Sequence, residues 1–102
     1  MSQNFKSLSD FYPYYLEEHS NPKNRLLHFI GTGLSIGFLI LALQKFNFKY
    51  IFVALLCGYS FAWVGHFFIE KNRPATFKHP VYSFICDFKM FFDIARGKIS
   101  IW

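Results

Sequence analysis

Two long apolar runs separated by a short polar stretch organise this chain. Residues 26–43 are broken only by His28 and a few small or hydroxyl side chains, and residues 50–69 contain no Asp, Glu, Lys or Arg and a single His, His66. About 17–25 apolar residues cross a bilayer as a helix, so the pattern predicts two spanning helices joined by a turn over 44–49. Boundary signals fill in the rest. Asn21-Pro22 fits an N-cap followed by proline at the first helical position, where the missing N–H costs nothing. Upstream, Ser9-Asp10 can cap a short helix with Pro13 in its first turn, and Phe11, Tyr15 and His19 recur at spacing four on one face. Downstream, Asn72-Arg73-Pro74-Ala75-Thr76 breaks the second run, because proline disfavours helical geometry in the residue before it. His79-Pro80 then opens a last helix through Val81, Phe84, Ile85, Phe88, Phe91, Phe92 and Ala95, stopping near Gly97. With Asp87, Lys89, Asp93 and Arg96 elsewhere on its surface, this helix reads as amphipathic and suited to a membrane interface. The expected fold is all-α: one domain over 1–102, a membrane hairpin of two spanning helices, flanked by a short N-terminal helix and a C-terminal amphipathic interfacial helix.

Composition sharpens that picture. Hydrophobic residues make up 53% and aromatics 23%, with fifteen Phe among 102 residues, more than a small soluble core uses. The surplus calls for lipid or a partner; a soluble bundle with two buried helices is the alternative. Of the eleven Lys and Arg, only Lys45 and Lys49 lie in the turn. The positive-inside rule therefore places both termini in the cytoplasm. A net charge of +5 suits anionic lipid headgroups. The basic residues form no stripe interleaved with stacking aromatics, so nucleic acid is not an expected partner. No secretory signal is expected, since the first apolar run begins only at Leu26 and lacks a small-residue cleavage pattern. Cys57 and Cys86 have no metal-type or redox spacing.

The candidate chemistry lies at the ends of the runs. Folding the hairpin about the turn puts His28 and His66 at equal depth, with His19 and His79 one step further out at the same end. Imidazole is the commonest side-chain metal ligand, so a one-ended cluster of four suggests a metal centre. Glu70 follows His66 by four residues and could ligate the metal or accept a ring N–H. Arg73 could hold a substrate carboxylate, or contact lipid phosphate. Asn24 could bond a histidine or cap backbone. Asp87 could orient a ligand, although an ion pair with Arg73 or Lys89 is the expected use. Gly33 and Gly37 match the small-x-x-x-small spacing of close helix packing, which leaves homo-oligomerisation open.

Three strings carry a family resemblance: Phe11-Tyr12-x-x-Tyr15-Leu16-x-x-His19-x-Asn21-Pro22-x-Asn24-x-x-x-His28, then Val64-Gly65-His66-x-x-x-Glu70-x-x-Arg73-Pro74-Ala75, then Ser83-x-x-x-Asp87-x-x-Met90. The chain resembles the Mpo-type family, which includes a yeast endoplasmic-reticulum 2-hydroxy fatty acid dioxygenase. The resemblance implies an iron(II)-dependent enzyme that uses O2 to shorten a 2-hydroxy fatty acid by one carbon, with the family's histidines at His19, His28 and His66, and for a member this compact beside the yeast-like relatives a bacterial inner membrane is the expected location. The residues themselves leave two rivals. A zinc-dependent hydrolase would use Glu70 as general base to a metal-bound water, and a non-catalytic hairpin would oligomerise through its glycines.

Overall fold

The computed structural model describes residues 5–74 and 77–101. Ala75 and Thr76, the end of the expected break, lie outside the described residues. Helix α1 spans Leu8–Glu17, α2 Pro22–Lys45, α3 Lys49–Val64 and α4 Pro80–Ala95, and Gly65–Glu70 prolongs α3 as one π-helical turn. Ser7, not Ser9, caps α1: its side chain accepts from Asp10 N–H at 3.2 Å. Asn21 caps α2 as expected, accepting from Lys23 N–H at 2.9 Å with Pro22 behind it. The turn between the long helices closes through a left-handed Phe46, and Asn47 accepts from Lys49 N–H at 3.0 Å. Gly97, at φ +80°, ends the last helix in the conformation that a side chain would strain.

α2 and α3 pair as an antiparallel hairpin. Gly31 lets them approach, since a Cβ there would lie 2.8 Å from Phe61 Cβ. Against one end of the hairpin sit α1 and α4, which share a core of Phe11, Tyr15, Cys86, Met90 and Ile94. Each large side chain buried there contributes roughly 1.5–3 kcal/mol. Both cysteines are free thiols.

Burial is distributed in an unusual way. The inside holds His19, Asn24, His28, Thr32, Ser35, His66, Ser83 and Asp93, while Leu43, Phe46, Phe52, Leu56 and Phe68 are each at least two-thirds exposed. Pro22–Lys45 and Lys49–Glu70 are long and apolar enough to cross a membrane, and only 22% of the apolar window of each is buried. The core helix of a soluble protein is mostly buried, so this exposure argues against the soluble bundle. α4 follows the same logic. Its buried face is Ser83, Cys86, Met90, Asp93 and Ile94, whereas Val81, Phe84, Ile85 and Phe92 of the apolar stripe remain exposed.

Candidate metal centre

The site forms where the end of α1, the first turns of α2 and the π-helical turn meet. His19 follows α1, His28 lies two turns into α2, and His66 stands in the π segment. The ring centroids of His19 are 4.2 Å from His28 and 4.4 Å from His66, and His28 lies 5.0 Å from His66. All three are buried, and one ligand nitrogen from each lies within 4.8 Å of the others. π-Turns inside helices are rare and concentrate at functional sites. This one depends on a close approach. A Cβ on Gly65 would collide with the Asn24 side chain, so only glycine lets α2 press against the segment that carries His66.

What surrounds the imidazoles orients them. His19 Nδ1 donates to the Tyr15 carbonyl at 2.6 Å, and His66 Nδ1 donates to Asn72 Oδ1 at 2.7 Å. His28 Nδ1 faces Asp87 Oδ1 at 3.8 Å. Anchoring Nδ1–H leaves Nε2 with a free lone pair, which is how proteins present histidine to a metal. Nε2 of His19 and of His28 are buried and have no protein partner. A buried polar atom without a partner costs about 1–3 kcal/mol, and a shared cation would relieve that cost for both. Burial, and next the neighbouring His66, lower the His19 pKa to about 3, so its ring is neutral at physiological pH. The donor set therefore fits a divalent transition metal.

The expectation that four histidines converge is corrected at His79. That residue stands immediately before α4, and its ring packs among Phe5, Phe11 and Tyr14 at 5.2–6.2 Å. The flanking segments do not fold back as a simple extension of the hairpin, because α1 packs on α4 and draws His79 into that aromatic cluster. Glu70 is also engaged elsewhere: its carboxylate accepts from Asn21 N–H at 2.5 Å, with Ser20 Oγ at 3.4 Å and Asn24 Nδ2 at 3.5 Å. It ties the start of α2 to the π turn. Arg73 is exposed and makes no hydrogen bond or ion pair with a described residue. Neither Glu70 nor Arg73 lines a cavity at the site.

Several contributors lay hidden in the sequence. Tyr15 stacks on His19 at 4.0 Å and donates its hydroxyl to Asp87. Asp87, expected to pair with Arg73 or Lys89, is instead turned toward Tyr15 and His28, and burial raises its carboxyl to about 7. The ion pairs belong to Asp93, which binds Lys89 at 3.3 Å and Arg96 at 2.5 Å. Arg25 fixes the His19 backbone through its carbonyl at 2.6 Å. Asn72 links the centre to α1 by donating to the Glu18 carbonyl at 3.1 Å. Beside the imidazoles a small cavity is walled by Tyr15, Tyr59, Trp63, Ser83 and Asp87, and the Ser83 hydroxyl is buried without a partner.

A family profile described as 2-hydroxy-palmitic acid dioxygenase Mpo1-like matches residues 5–99. The chain belongs to the Mpo1-like family. No curated protein and no solved structure matches it. The matched span includes every residue of the histidine cluster and its anchors, so the geometry of this Mpo1-like chain can be read together with the chemistry in the family's description.

Proposed function

We propose that this Mpo1-like protein is an iron(II)-dependent dioxygenase of the membrane that acts on 2-hydroxy fatty acids and leaves the acid one carbon shorter. The observation that carries the proposal is the trio of buried imidazoles, with Nε2 of His19 and His28 lacking partners, beside a small cavity. His19, His28 and His66 would hold the ion. Bound iron(II) would supply the activation of O2, the oxidant with which the C1–C2 bond breaks to leave the shorter acid, C1 departing as carbon dioxide with one water. The family's description favours this over zinc hydrolysis, and the engagement of Glu70 by Asn21 supports the same preference.

The chain's own groups do the positioning. Ser83 directs its free hydroxyl at the small cavity, where it donates to the carboxylate or hydroxyl of the substrate head. Trp63 and Tyr59 help exclude water from that space. Arg73, exposed and adjacent in sequence to the wall residue Pro74, would give an approaching carboxylate a positive charge outside the cavity. Exposed apolar faces on α2, α3 and α4 suit insertion in lipid, and the excess of Lys and Arg on the termini side supports a cytoplasmic position for both termini and the histidines.

The test is elemental analysis of anaerobically purified protein, followed by aerobic incubation with 2-hydroxypalmitate. Near-stoichiometric iron and O2-dependent release of the acid one carbon shorter are expected. Persistent absence of turnover by iron-loaded protein across several chain lengths overturns the proposal, and zinc with O2-independent activity replaces it with the hydrolase.

A further inference from the structure

A second, larger cavity of about 190 Å³ is bounded by α2, α3 and, through Phe84, Asp87 and Phe88, α4, with His28 and Asp87 in its wall at one end and Leu39 and Ile51 at the other. His28 and Asp87 also line the small cavity at the imidazoles, so the two spaces share a wall at the metal centre. From His28 to Leu39 α2 rises about 16 Å, and from Ala62 back to Ile51 α3 covers the same distance, at about 1.5 Å per residue. A staggered alkyl chain advances about 1.25 Å per carbon, the projection of a C–C bond of about 1.5 Å, so this length accommodates about 13 carbons. Midway, Gly58 faces Ser35: a Cβ there would lie 2.8 Å from Ser35 Oγ. Ser35 donates to the Ala54 carbonyl at 2.5 Å and so has no hydrogen left to offer a ligand. Beyond it the wall is Leu39, Ile51, Ala54 and Leu55, with no polar side chain.

Resting on the 2-hydroxy acid reading above, we propose that this cleft holds the substrate's alkyl tail and measures its length. Gly58 keeps the passage open, and Leu39 and Ile51 close its far end. The occupant is an unbranched hydrocarbon tail of about 13 carbons, attached to a head held at the histidines. Continuity with the metal centre selects this occupant over a bystander lipid, which would have no reason to end at His28.

The probe is 2-hydroxyhexadecanoic acid carrying a diazirine near its terminal carbon, photolysed on the full-length protein in lipid nanodiscs, with labelled residues located by mass spectrometry. Label on Leu39, Ile51 or Leu55 is expected, competed best by acids with about 13 tail carbons. Gly58→Leu, with helical content and metal retention verified, should cut labelling at least tenfold and move the best competitor to about five to eight tail carbons, since Gly58 lies about 6 Å from Ala62 along α3 and Ser35, which it faces, lies about 10 Å from His28 along α2. Leu39→Ala/Ile51→Ala should move it the other way by about two to four carbons, and it decides the matter if Gly58→Leu fails to fold. Label confined to outward-facing Leu43, Phe52 or Leu56, or a competition profile unchanged in the variants, overturns the proposal. Labelling does not require turnover. An inactive protein labelled at the far end therefore sinks the oxygenase reading alone, and an active one labelled on the outer faces sinks the ruler alone.

Discussion

Replacing Asn72 with alanine should weaken the metal centre without dismantling it. Asn72 accepts from His66 Nδ1 at 2.7 Å and donates to the Glu18 carbonyl at 3.1 Å, so one side chain sets the ring of one ligand and holds the backbone next to another, His19. Losing a group that orients a metal-bound histidine lowers metal affinity about 10–100-fold, equivalent to about 1.4–2.7 kcal/mol. The lost bonds to Glu18, one to its carbonyl and a longer one to its carboxylate at 3.3 Å, would cost folding stability about 1–3 kcal/mol. Competition against a chromophoric chelator, titrated anaerobically with iron(II) and in air with zinc, reads the first quantity, and thermal unfolding in detergent reads the second. Glu18→Gln keeps the backbone carbonyl and should bind metal like the parent, while His28→Ala/His66→Ala should lose the ion. Asn72→Ala within twofold of the parent affinity would refute the reasoning, because it would show that the His66 ring needs no anchor.

Glu70→Ala should lower stability by roughly 1–3 kcal/mol, since the Asn21 N–H at 2.5 Å loses a charged acceptor. Its metal affinity should fall less than tenfold, and Glu70→Gln should restore much of the melting temperature. His79→Phe should leave metal content unchanged in elemental analysis, because that ring already sits among Phe5, Phe11 and Tyr14; loss of the ion would reinstate it as a ligand. For Asp93, burial raises the pKa, but hydrogen bonds from Tyr12, Arg96 and Lys89 outweigh it and hold the carboxyl at about 2. A depressed carboxylate contributes stability that is complete above the unfolded value near 4 and is lost as pH falls toward 2. Acid titration monitored by circular dichroism should show this loss, on the order of 1–2 kcal/mol after solvent screening of Lys89 and Arg96. An acid limb of the same size in Asp93→Asn would contradict the assignment.

Local pattern was enough to place the helices and to pair His28 with His66. Run length, the Asn21-Pro22 cap and the His79-Pro80 start are encoded within a few residues, and an antiparallel hairpin fixes relative depth from the position of its turn. His19 was legible too, through the spacing that puts Phe11, Tyr15 and His19 on one face. Docking of α1 on α4 was not, because it depends on Phe11, Tyr15, Cys86 and Met90 meeting across about seventy intervening residues. That docking alone sends His79 to the aromatic cluster and turns Asp87 toward Tyr15 and His28. Glu70 could be placed on the His66 side of its helix, but only the fold shows Asn21 N–H reaching it first. The cleft bounded by α2, α3 and α4 was equally invisible in the chain, since an empty space between helices is a property of their packing and belongs to no residue. Sequence determined which groups reach the site's end of the molecule, through short-range helix signals and solvent preference; tertiary packing decided which of them face one another, because contact between elements is set by how their side chains interlock.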